Sequence, residues 1–291
     1  MSSLFHALIS PFLDYAFMRR ALVACLALSI GSGPIGVLLL LRRMSLVGDA
    51  MSHAVLPGAA VGFLIAGLTL WGMTIGGIVA GLLVALLAGA VSRRTALRED
   101  ASFAGFYLAS LALGVLLVST HGSNIDLLHI LFGTILAVDD TALYLVGGIA
   151  SVSTVVLLTV YRPLILECFD PGFLRAVGGL GSLYHVVFLV LVVLNLVAGF
   201  QALGTLMAVG LMMLPAATSR FWARQVWSMA LASMLVAFLS GFIGLLASYH
   251  FALPSGPAIV LTASLFYIAS IFIGQQGGIL HALWPRRHLT G

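Results

Sequence analysis

The segment RRMSLVGDAMSHAVLPGAAVGF, residues 42–63, sets a carboxylate, Asp49, four positions ahead of an imidazole, His53. Small and apolar residues flank both and run on as a helix, where side chains at i and i+4 face the same way. A carboxylate and an imidazole together form a borderline-hard donor set suited to divalent zinc, manganese or iron. Ionisable groups at membrane depth are costly unless paired or used, so one reading is a metal site on a translocation path. The other reading is a helix start, with Asp49 as its cap and His53 satisfied by a carbonyl. The residues by themselves leave both open.

A second group, His121, Asp126 and His129, lies in STHGSNIDLLHILFG. Two histidines and an aspartate can receive a metal, although Asp126 ahead of an apolar run is equally a helix cap. His185 and His250 stand alone among apolar residues, and His6, His281 and His288 lie near the ends. Isolated histidines are expected to be satisfied structural residues. Cys25 and Cys168 are far apart in sequence, which excludes a CxxC site or a disulfide framework, and both are expected to be inert packing residues. An intramembrane metal-dependent hydrolase would also bury His and Asp in helices. No HExxH occurs, however, and neither glutamate, Glu99 or Glu167, falls in an apolar span.

The elements that must position these groups are membrane helices. Of the 291 residues, 62% are hydrophobic and 8% charged, and the mean hydropathy is +1.18, outside the range of soluble domains. Apolar stretches fall at about 21–41, 54–70, 72–91, 101–119, 141–160, 182–200, 202–218, 226–247 and 256–276. The expected fold is all-α, one polytopic transmembrane bundle of about 8–9 spans over 1–291. The 13 basic residues are all arginine. Five groups occupy alternate connections: Arg42 and Arg43; Arg93, Arg94 and Arg98; Arg162 and Arg175; Arg220 and Arg224; Arg286 and Arg287. The intervening connections carry none, so the arginine side is expected in the cytoplasm and the N-terminus outside. Such punctuation is not a nucleic-acid patch. Arg19 and Arg20 break the pattern, and the aromatic, half-polar residues before them suit a segment, 1–20, lying along the interface. Gly72 with Gly76, and Gly77 with Gly81, have the spacing of close helix packing. Pro34, Pro57 and Pro215 are expected to kink or interrupt their helices.

On the arginine side, YRPLILECFDPGFLRAVGGLG holds a short helix signal. Asp170 suits its cap, Pro171 its first turn, and Gly178 with Gly179 its end. Phe169, Phe173 and Ala176 would form a small apolar face. Such a helix is a docking element for a soluble partner, or else an interfacial loop.

At GVLLLLRRMSLVGDAMSHAVLPGAAVGFLIAG the chain resembles the zinc/manganese-type family of ABC transporter permeases. Further matches follow at DLLHILFGTILAV (126–138), FDPGFLRAVG (169–178), LGTLMAVGLMMLPAATSR (203–220) and LPSGPAIVL (253–261). The resemblance implies that Asp49 and His53 are the metal-coordinating pair. It also implies that 169–178, with Phe169, Asp170, Phe173, Arg175 and Gly178, is the cytoplasmic coupling helix seated in an ATPase groove. Further implications are a homodimer in the bacterial inner membrane, two copies of a separate ATPase and an extracytoplasmic metal-binding protein. The divalent metal would be transported substrate rather than cofactor, and no cofactor is expected. A P-loop requires a lysine, which this chain lacks, so no ATPase site of its own is expected. A stand-alone secondary metal carrier remains the other alternative to be tested.

Overall fold

A computed structural model describes residues 9–67, 69–120, 138–176 and 181–280. Among these the ordered elements are helices: α1 Ala16–Leu41, α2 Ser45–Ala66, α3 Leu70–Arg94, α4 Glu99–Thr120, α5 Asp140–Thr159, α6 Tyr161–Phe169, α7 Pro171–Ala176, α8 Gly181–Leu203, α9 Thr205–Ser219, α10 Val226–Phe251 and α11 Ser255–Ile273. Helices satisfy their backbone polar groups internally, which hydrocarbon requires because it offers no water as a partner. Eight are long and apolar enough to cross a bilayer: α1 to α5, α8, α10 and α11. The stretch expected at 202–218 is α9, whose 15 residues extend about 22 Å at 1.5 Å per residue. It falls short of a hydrocarbon core about 30 Å thick. Its start is set by Gly204, which joins α8 to α9 in a single residue with φ 91° and ψ 164°, a backbone region open essentially to glycine alone.

The helices pack so that α1 and α8 lie at the centre, with 72% of each span buried, whereas only 17% of α4 is. Around them α2, α3 and α4 form one flank, and α9, α10 and α11 the other. Two glycine ladders bring α3 close to its neighbours. A side chain on Gly76 would overlap the carbonyl of Gly58, and one on Gly72 would crowd Ala66 and the carbonyl of Gly62. Gly77 and Gly81 face Val55 of α2 and Val193 and Val197 of α8. The glycine spacing read from the sequence is therefore helix packing. Pro34, Pro57 and Pro215 lie inside α1, α2 and α9, and each helix runs on through its proline.

The two ends of the bundle differ as the arginine pattern requires. At one end Arg42, Glu99, Glu167 and His185 converge. There Val37 and Leu41 of α1 pack with Ala216 of α9 and with Val226 and Met229 of α10, so α9 returns to the arginine side. Arg224 Nε donates to Gln276 Oε1 at 2.5 Å, which places the segment after α11 there too. At the opposite end Arg20 pairs with Asp140 at 2.7 Å, and Asp139 caps α5 by accepting from the Ala142 amide at 2.7 Å. Arg19 and Arg20 thus belong to the first turns of α1, which starts at Ala16, ahead of the apolar run expected from 21. A short helical turn at 9–14 precedes it, and residues 1–8 of the expected interfacial segment lie outside the described residues.

Candidate functional site

The α1–α2 turn is built so tightly that Asp49 and His53 fall within the first three turns of α2. Arg43 adopts φ 58°, its amide bonds to Leu40 O at 3.1 Å, and the Met44 amide bonds to Leu39 O at 2.9 Å. These two bonds are the paired closure of a Schellman turn, and Met44 and Leu39 are both buried in the core beside it. The N-cap of α2 is Met44. Asp49 sits in the second turn, so the capping reading falls.

His53 Nε2 stands 3.9 Å from Asp49 Oδ1, and the side chains are 31% and 64% exposed. They belong to a stripe with Leu46, Leu56 and Ala60 that the neighbouring helices leave partly or fully uncovered, while Val47, Gly48, Met51, Val55 and Gly58 face inward. The His53 ring lies alongside Tyr107 of α4, with centroids 6.3 Å apart and planes 29° apart. Ser52 Oγ donates to the Asp49 carbonyl at 2.7 Å and leaves the carboxylate uninvolved in that bond. Among the described residues no group of three or more His, Cys, Asp and Glu forms a metal centre, so within them the pair stands as two donors. His121, Asp126 and His129 lie outside the described residues.

The helix signal on the arginine side resolves into two pieces. α6 covers Tyr161–Phe169, and α7 begins at Pro171 after Asp170, whose Oδ1 accepts from the Phe173 amide at 2.8 Å. Asp170 is therefore the cap expected from sequence. Phe169, Phe173 and Ala176 are exposed, while Leu174 is buried. Gly178 and the Arg175 side chain lie outside the described residues.

The sequence reading missed a third cluster. His185 does not stand alone: its Nε2 is 3.0 Å from Glu99 Oε1 and its Nδ1 is 3.1 Å from Arg42 Nη1. A guanidinium only donates, so Nδ1 accepts and the proton of a neutral ring sits on Nε2, facing Glu99. Arg42 also donates from Nη2 to Glu167 Oε2 at 2.5 Å and from Nε to Cys168 Sγ at 3.1 Å, and its Cζ lies 4.2 Å over the Phe188 ring. The Arg42 and Glu167 side chains are 7% and 10% exposed. Cys168 is thus an acceptor in a buried polar cluster, not inert packing. Burial pushes its thiol above the ordinary value, and the Arg42 charge and hydrogen bond only partly oppose this. The available signal was that Glu167 and His185 flank the α7 signal on the arginine side, where a buried charge must find a partner.

Multiple membrane helices, a carboxylate–imidazole pair on one of them and a capped short helix at the arginine end are features of a transporter subunit. Residues 14–274 match the profile of the ABC 3 transport family. The manganese import system permease protein ScaB of Streptococcus parasanguinis is 37% identical over 95% of this chain and 99% of its own. The chelated iron transport system membrane protein YfeD of Yersinia pestis is 31% identical over 93% of this chain and 90% of its own. Among solved structures, PsaBC from Streptococcus pneumoniae in complex with Fab superposes with a TM-score of 0.83, at 34% identity, over 97% of this chain and 99% of that one. The chain belongs to the ABC 3 transport family of metal-ion permeases, multi-pass proteins of the bacterial cytoplasmic membrane.

Proposed function

We propose that Asp49 and His53 are the donors through which a divalent transition metal crosses this permease, and that two copies of the chain bring their pairs together. The chain is the membrane-spanning subunit of an ATP-driven importer. That membership leaves the hydrolase and stand-alone carrier readings without support. The single observation that carries the ligand role is the uncovered Asp49–His53 stripe. A carboxylate left 64% exposed on a membrane-crossing helix is too costly to face lipid, so a partner or an aqueous path must cover it. Zinc prefers about four donors and manganese about six, and the described residues of one chain bring two together. A twofold axis beside α2 would double the set to four, leaving manganese to complete its shell with water. Because manganese and iron relatives both match over nearly the whole chain, the choice of metal is left to measurement. The exposed face of Phe169, Phe173 and Ala176 is the docking surface for a separate ATPase, which supplies the nucleotide site. An external metal-binding protein delivers the ion, and alternating access moves it past the pair.

The experiment is metal uptake by the complete transporter with Asp49→Ala and His53→Ala, in competition among zinc, manganese and iron. Each variant should abolish uptake while the ATPase still co-purifies. Metal analysis of the isolated permease should give one ion per two chains. Full uptake in either variant would remove the ligand role, and one ion per chain would remove the shared site.

A further inference from the structure

We propose that Arg42 is the tether through which movement of the α6–α7 segment reaches the metal pair on α2, with Glu167, Cys168 and His185 as its positioning partners. The inference rests on the metal and docking readings above, because it concerns what joins the two.

The packing leaves few routes between them. α7 packs on α6 and α8, α6 packs on α7, α8 and α5, and α8 packs in turn on α1 and α2, so apolar packing through α8 is one route. Among the described residues, the polar contacts of α6 with the α1–α2 turn run through Arg42. Two of its three nitrogens bind consecutive α6 residues, Glu167 at 2.5 Å and Cys168 at 3.1 Å, while the third reaches His185 on α8. Stacking over Phe188 fixes the plane of the guanidinium, so the fork cannot turn to follow only one partner. On the other side, Arg42 is the C-cap of α1, and the Schellman closure at Arg43 and Met44 makes the next residues a stiff elbow into α2. Asp49 follows seven positions later. The cluster also reaches α4: His185 Nε2 at 3.0 Å from Glu99 ties in the first residue of the helix whose Tyr107 lies alongside His53. Both donors of the metal pair therefore sit on, or pack against, helices whose cytoplasmic ends meet at this cluster.

Chemistry favours a tether over a filler. A buried arginine bonded to a carboxylate, a thiol and an imidazole at once holds a geometry that an apolar side chain of similar volume cannot transmit. Simple packing would be satisfied by such a replacement. Spatial adjacency alone does not establish coupling, so the test reads coupling directly.

The permease, its ATPase and its metal-binding protein are reconstituted in vesicles with manganese ion, and uptake per ATP hydrolysed is compared for Arg42→Gln, Glu167→Gln and the double variant. The expected result is normal assembly and continuing hydrolysis, with uptake per ATP lowered about 2- to 30-fold. The double variant should lose no more than the worse single one, since both cut the same link. Unchanged uptake per ATP in the single variants overturns the proposal, as do additive losses. Should both variants fail to assemble, or lose hydrolysis and uptake in step, the cluster is a folding element and the proposal fails. Asp49→Ala run alongside separates the readings. Uptake surviving that change sinks the metal pair, whereas loss of the ratio in Arg42→Gln concerns the tether alone.

Discussion

Asp49 and His53 are polar side chains left uncovered on a membrane-crossing helix, and Cys168 is the reverse, a thiol held among buried polar groups. Its pKa is raised above the ordinary 9.0, first by burial. A raised thiol pKa keeps the group protonated through the range in which an exposed cysteine already forms thiolate, so the nucleophilic form is scarce. Alkylation of Cys168 by a permeant maleimide should therefore lag behind that of an exposed engineered cysteine at pH 8, and should still be climbing with pH where the rate of the exposed cysteine has levelled off. Equal rates at pH 8 would contradict this placement. The same environment predicts the cost of shortening it. Cys168→Ala would leave Arg42 Nε without its acceptor, a loss of about 1–3 kcal/mol for an unmet buried donor. Cys168→Ser should retain most of that stability, measured as the melting temperature in detergent.

At the scale of elements, the α2–α3 pair depends on glycines that admit no substitute. Gly76→Val should lower stability by about 1–3 kcal/mol, the usual penalty of overpacking, since its side chain meets the Gly58 carbonyl. Gly105→Ala on α4 is the matching control. Nothing lies within 4 Å of a side chain there, and alanine in a helix gains about 0.5–1 kcal/mol over glycine. If both changes shifted the melting temperature alike, the close approach of α2 and α3 would be disproved. α7 carries a different kind of test, because Phe173 is exposed and contributes little to this chain's own core. Phe173→Asp should leave the permease folded yet release the ATPase on purification, since an apolar groove would have to bury an unpaired charge at several kcal/mol. Retention of the ATPase with normal uptake would rule out docking at this face.

For the whole molecule, the decisive property is which end faces which compartment. Arg43 ends the α1–α2 turn at the end where Arg42, Glu167 and Glu99 meet, and Leu253 lies exposed in the α10–α11 connection at the other. Cysteines placed at these two positions, in a background lacking Cys25 and Cys168, should be labelled by an impermeant reagent from opposite sides of the membrane. Labelling of both from one side would overturn the orientation.

Hydropathy and arginine parity by themselves determined that the chain is a helical membrane protein whose arginines gather at one end of the bundle, because span length and charge placement are local properties of a chain in lipid. The cap at Asp170 and the shared helical face of Asp49 and His53 were legible for the same reason: each depends on residues three or four apart. Tertiary structure alone decided the rest. It joined Arg42 to Glu167 and His185, which are separated by 125 and 143 positions, and it showed Asp49 to be in the second turn of α2 and not its cap. It also shortened the 202–218 stretch to α9, because a single glycine at φ 91° sets where α8 stops while the apolar pattern runs on unbroken. Pairings between distant segments depend on how the helices pack, and apolar composition constrains that packing weakly in a solvent as apolar as the side chains themselves.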